Sequence, residues 1–169
     1  RQRQMCIRDR LECISEIQGQ IDVNSIDIAI LFISNEHKKK LEQIPLVIYE
    51  ELNPAQFVGC SAGGVIGNGK EVEHSYGISL TVASLPKVNL NSFYVDDDSL
   101  PDLDAPPTEW EVLIGVTADK DPQFLILTDP FTIRSQNLLL GLDYAFRKGI
   151  KVGGMASGFL SGKGNTLFL

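Results

Sequence analysis

Ile26-DIAILFI-Ser34 is the stretch that decides the fold. After Asp27 it carries no charge, and Ile, Leu, Phe and Ala follow one another without a polar break. Such a run reads as a strand buried on both faces, as in the interior of an α/β sheet. Upstream, Leu11, Ile14, Ile17 and Ile21 recur at helical spacing and predict a short amphipathic helix over 11–20. Downstream, Glu36–Leu52 sets Leu41, Ile44, Val47, Ile48 and Leu52 against charged residues. That pattern predicts a helix, broken or restarted at Pro45 and ended by Asn53-Pro54.

Phe57–Cys60 reads as a second short strand, which opens into five glycines between Gly59 and Gly69. Glycine permits positive φ and close approach of other groups. Tyr76–Ser84 reads as a strand, and the alternation over Val88–Val95 as a half-exposed one. Asp96–Pro107, acidic and proline-rich, reads as a surface loop. A short helix is expected over Thr108–Leu113 around Trp110, and a buried strand over Gln123–Thr128. Ser135–Lys148 is amphipathic and predicts a helix with Ser135 as N-cap and Gly149 as its C-terminal stop. Ile150–Met155 reads as a strand, with more glycine over Gly158–Gly164. The fold class is α/β, with mixed sheets and helices.

The order of events repeats. Val58-GCSAG-Gly64 lies opposite Val152-GGMAS-Gly158, sharing V-G-x-x-A-x-G, and a glycine turn follows each: Gly67-Asn68-Gly69 and Gly162-Lys163-Gly164-Asn165. The matching strands are Ile28–Ser34 and Gln123–Asp129. Two related β-α-β-β halves account for this order better than turn chemistry alone, and a cleft between such halves is a common ligand site.

Composition narrows the functions. The chain has 169 residues, 43% hydrophobic and 22% charged, as expected of a globular domain. A net charge of −7 argues against nucleic-acid and anionic-membrane surfaces. No apolar run is long enough to span a bilayer. Cys6, Cys13 and Cys60 show no metal-type pairing, so reduced thiols in a cytoplasmic setting are expected. Residues 1–10 carry four Arg and one Asp, look foreign to the rest (a basic tail or adapter read-through) and are set aside, leaving 11–169 as the domain. The apolar ending Thr166-LF-Leu169 reads as an open strand edge, and an incomplete domain with more protein downstream is expected.

Several motifs invite chemistry. Gly59-Cys-Ser61-Ala-Gly63 matches the G-x-S-x-G nucleophile elbow, but that elbow needs a helix next, and Gly64-VIGNGK-Glu71 is too rich in glycine. Gly64 to Lys70 has P-loop spacing, with Glu71 where a magnesium-binding hydroxyl belongs; a glycine hairpin with a solvated Lys is the better reading. Cys60, at the end of an apolar strand near Glu71 and Glu73, is expected to be buried and inert. His37, beside Lys38–Lys40, reads as exposed helix surface. Asp96–Asp98 lacks EF-hand spacing for calcium. No catalytic residue, metal ligand or cofactor is assigned.

The segments IDIAILFIS (26–34), FVGCSAGGVIGNGKEVEHSYGISLTVASLP (57–86), LPDLDAPP (100–107), FLILTDPF (124–131), LLLGLDYAF (138–146) and KVGGMASG (151–158) together resemble the FIST N-terminal domain, named for F-box and intracellular signal transduction proteins. The LPDLDAPP and TDPF segments look like the stand-alone bacterial forms. The resemblance implies a cytoplasmic sensory module for a small ligand, amino acids among the candidates, that normally continues into a C-terminal FIST partner domain. The candidate binding residues rest on the glycine turns. They are Cys60, Ser61, Gly63, Gly64, Glu71, Glu73, Gly154 and Ser157: backbone N–H groups of the glycine turns suit an anionic group, Ser61 and Ser157 add hydroxyls, and Glu71 or Glu73 suits an amine. An enzyme with its nucleophile at the Gly59–Gly63 turn and a protein-interaction module are the alternatives.

Overall fold

The computed structural model describes residues 11–67, 69–159 and 164–169. The expected basic tail, Asn68, and Gly162 and Lys163 of the second glycine turn lie outside them. The chain divides into two compact units, one running to Leu90 and resuming over Ala156–Leu169, the other comprising Asn91–Met155.

The first unit is built on strand β1 (Ile28–Ser34). Its burial alternates: Ala29, Leu31 and Ile33 are wholly buried, while Ile28, Ile30 and Phe32 are only partly so. The expectation of burial on both faces is therefore corrected to one fully covered face. Helix α1 (residues 11–18) and helix α2 (Gln43–Leu52) supply that cover, placing Ile14, Ile44, Ile48 and Leu52 in one core with β1. Strand β2 (Gln56–Ala62) pairs with β1 in parallel, Leu31 opposite Gly59 and Ile33 opposite Ser61.

The segment between β1 and β2 breaks earlier than the expected break or restart at Pro45. Asn35–Lys40 forms 3-10 turns, interrupted at Lys38 (φ 40), and α2 starts only at Gln43. Pro45 therefore falls in the first turn, where its missing N–H removes no intrahelical bond. Asn53 closes α2 in the left-handed conformation, φ 43 and ψ 52. After β2 come strands β3 (Gly64–Gly67) and β4 (Lys70–Glu73), an antiparallel hairpin turned at Gly69 (φ +72). Lys70 is exposed on it, and no helix begins there, so the P-loop spacing is a glycine hairpin. Strand β5 (Ile78–Ala83) lies antiparallel on the far side of β1. The Val88–Val95 segment is not a strand; alternation without a partner edge does not make one.

In the second unit, helix α3 (Pro107–Ile114), strand β6 (Phe124–Thr128), helix α4 (Ser135–Ala145) and strand β7 (Lys151–Met155) follow in order. β6 and β7 pair in parallel, Ile126 opposite Gly153, around a core of Trp110, Ile114, Phe124, Ile126, Leu138, Leu142 and Phe146. Arg134, not Ser135, stands at the N-cap of α4, and no side chain caps it. Asp96 caps a 3-10 turn through Ser99, and Asp97 accepts from the backbone N–H and Nε of Arg134, both at 2.9 Å. A final strand, β8 (Leu167–Phe168), returns to the first unit and pairs antiparallel with the outer edge of β2. Its sheet thus runs β5-β1-β2-β8. Among the described residues no helix is long and apolar enough to cross a membrane.

Gly141 offers a test of the packing in the second unit. It sits inside α4, where exchange for Ala ordinarily stabilises a helix by about 1 kcal/mol. Here a Cβ would lie 2.0 Å from the Trp110 ring, which is completely buried. Overpacking of this kind costs about 1–3 kcal/mol, so Gly141→Ala is expected to lower stability in denaturant unfolding; a gain would contradict the packing.

Candidate functional site

The carboxyl ends of parallel strands are where open α/β sheets place ligands, because loops diverge there. In the first unit that end is formed by Ser34 of β1 and Ala62 of β2, which are register partners. Each strand end is tied to another part of the chain by hydroxyl and amide chemistry.

Ser34 ties β1 to the segment leading into β5. It is wholly buried. Its hydroxyl donates to the Ser75 carbonyl at 2.8 Å and accepts from the Gly77 N–H at 2.9 Å. Its own N–H donates to the Gly77 carbonyl at 2.9 Å. The next residue, Asn35, donates its side-chain amide to the Gly158 carbonyl.

Ser61 does the same for β2. It is 0% exposed and faces the helix-covered side, because it pairs with Ile33. The Ser61 N–H donates to the Thr166 carbonyl at 2.9 Å and its carbonyl accepts from the Ser157 N–H at 3.1 Å. Its hydroxyl accepts from the Thr166 N–H at 3.1 Å and donates to the Ser157 carbonyl at 3.4 Å. Backbone from two distant segments is thereby fixed on one residue.

That fixing brings Ser157 to the glycine turn. The Ser157 hydroxyl accepts from the Gly63 N–H at 3.0 Å. Both residues are exposed, and among the described residues no acceptor takes the hydroxyl proton of Ser157. The result is an exposed hydroxyl held in place by the Gly63 N–H. Glycine is needed where these segments cross: a Cβ on Gly158 (φ +103) would lie 2.6 Å from Asn35 Cβ and 2.9 Å from the Ala62 carbonyl oxygen.

The remaining candidates fall in different places. Gly64 pairs with Glu73 across the hairpin and Ile66 with Glu71, so Glu73 lies at the foot, beside the turn, and Glu71 nearer the tip. Both carboxylates are exposed. Gly154 belongs to β7, in the other unit. Cys60 pairs with Phe32 and so faces the side of the sheet opposite Ser61. It is buried, and burial pushes its thiol up to about 11, which leaves little thiolate at neutral pH.

His37 was expected on an exposed helix surface and is instead 3% exposed. It lies edge-on to Tyr76 with ring centroids 5.1 Å apart, next to the break at Lys38. Burial holds its imidazole below the usual value; the charge of Lys40 adds to that, and a hydrogen bond with the Gly77 backbone opposes it. Among the described residues no group of three or more His, Cys, Asp or Glu side chains is placed to hold a metal ion.

No curated protein and no solved structure matches the chain. The FIST N domain matches residues 27–169, a span that takes in β1 through β8 and both strand ends described above. The chain belongs to the FIST N domain family.

Proposed function

We propose that this chain is a small-ligand-binding sensory domain of intracellular signalling, with its ligand seated at the Gly63–Gly64 turn and Ser157. The observation that carries the reading is the Ser157 hydroxyl, accepting from the Gly63 N–H at 3.0 Å while its own proton points to no protein acceptor among the described residues. A preset donor of this kind suits an anionic group such as a carboxylate, because its ordering cost is met before the ligand arrives. Glu73, opposite Gly64, suits an amine. Together they fit an amino acid. Sensing then requires that the ligand bind two states of the protein with different affinity.

Binding is favoured here over nucleophilic catalysis. A thiol at about 11 and a serine hydroxyl already engaged on both sides are poor nucleophiles, and β3 rather than a helix follows the turn.

We further infer that the strand–helix–strand units of β1-α2-β2 and β6-α4-β7 are related halves. Support comes from their equivalent glycines. A Cβ on Gly59 would lie 1.9 Å from the Leu31 carbonyl oxygen, and one on Gly153 would lie 1.8 Å from that of Ile126, in each case the register partner.

Thermal unfolding of the full-length protein against a panel of amino acids, nucleotides and organic acids tests the ligand reading. A ligand at a hundred times its dissociation constant stabilises a one-site protein by about 2.7 kcal/mol. An amino acid is expected to raise the midpoint, and Ser157→Ala to weaken its binding roughly fivefold, in line with about 1 kcal/mol for one hydrogen bond. Ser61→Ala is the contrasting variant. It leaves the part-buried Thr166 N–H without its partner and is expected to cost about 1 kcal/mol of stability. No shift from a folded protein, or undiminished binding by Ser157→Ala, would sink the assignment.

Alkylation separates the enzyme alternative. Treated with iodoacetamide at neutral pH, native Cys60 is expected to stay unmodified in peptide mass spectra and to react once the chain is unfolded. Rapid labelling of the native chain at Cys60 would favour thiol chemistry instead.

A further inference from the structure

His37 is a buried ionisable side chain that the ligand reading leaves unused. It stands on the turn after β1, 3% exposed, and its ring packs edge-on against Tyr76 at 5.1 Å and 73°. Tyr76 and Gly77 connect the β3–β4 hairpin to β5. Their segment is held to β1 by the Ser34 hydroxyl, through Ser75 and Gly77. The imidazole and the serine clasp therefore hold the same short segment against the same strand end.

A proton on His37 would place a charge where water scarcely reaches, and burial disfavours the charged form of an imidazole. Among the described side chains, the charged or titratable ones near it in the chain are Glu36, Lys38 and Lys40 on its own turn, and Glu73, His74 and Tyr76 on the segment it meets. Lys40 acts on it electrostatically and opposes protonation, whereas the hydrogen bond with the Gly77 backbone favours it. Burial is the largest of the three influences and opposes it too.

We propose that His37 is a pH-sensitive pin: neutral, it holds residues 74–77 and the hairpin against the end of β1, and protonated, it releases them. This does not rest on the ligand reading. The direction of the effect follows from linkage. The unfolded chain takes up the proton near the ordinary histidine value of 6.5, and the folded chain resists it to lower pH. Stability is then complete above that value, falls as pH drops below it, and levels off once folded His37 is protonated as well.

The test compares the natural full-length chain with His37→Gln, by urea unfolding between about pH 7.5 and pH 5. Hydrogen exchange at the Ser34 and Gly77 amides is followed over the same range, corrected for the intrinsic effect of pH. The natural chain is expected to lose stability below pH 6.5 and to lose protection at both amides, and the variant to show neither change. Equal pH dependence of the two proteins would overturn the proposal. Should His37→Gln fail to fold, NMR titration of the His37 ring in the natural chain decides: a midpoint clearly below 6.5 with matching loss of amide protection supports the pin, and a midpoint at the ordinary value overturns it.

Discussion

Ser61 joins three pieces of chain through four hydrogen bonds, two from its backbone and two at its hydroxyl. It is the fixed point of the first unit. β1, β2 and α2 form a local strand–helix–strand motif that packs through Ile33, Ile44 and Ile48. Residues 156–158 and 166–168 come from more than ninety positions away in the chain, and fixing them carries a loop-closure cost that grows slowly with length. A single buried residue offering N–H, carbonyl and hydroxyl meets several of their backbone groups at once. Leaving such groups unmet in a buried place costs about 1–3 kcal/mol each. The exposed contact of Ser157 with Gly63 is a consequence of this junction, since the same segment carries both.

Close backbone approach is the second constraint, and glycine meets it in the same way twice. Gly59 and Gly153 each sit opposite a strand residue whose carbonyl oxygen lies within 2 Å of where a Cβ would be. Any other residue at either place forces paired strands apart. The shared V-G-x-x-A-x-G pattern thus has one element with a geometric cause that is alike in both units. Its other positions diverge: Ser61 is buried and bonded, while its counterpart Met155 is exposed.

Much of this was legible in the sequence where local pattern and packing agree. The apolar run of β1, the helical stripe of α2 and the Asn53 stop all lie where spacing puts them. Failures arose where a local pattern was read without its partner. Val88–Val95 alternates but has no strand to pair with. His37 lies in a lysine-rich stretch that looks solvated, yet it is buried beside Tyr76; nothing in residue type announces that. Cys60 and Ser61 were grouped in one site although neighbours on a strand face opposite ways. That signal was present in the sequence. The hydroxyl junction itself was beyond reach, because it depends on contacts across about a hundred residues.

The ligand reading depends on one local claim: the Ser157 hydroxyl, fixed by the Gly63 N–H, and the Gly64 backbone beside it form a seat that is assembled before any ligand arrives. Amide chemical-shift mapping of the isotopically labelled full-length protein, titrated with each free amino acid, addresses it directly. The account predicts saturable changes that are largest at Gly63, Gly64 and Ser157 and fall away along β1 and β2. Saturable changes centred elsewhere, or none with any amino acid, would contradict it.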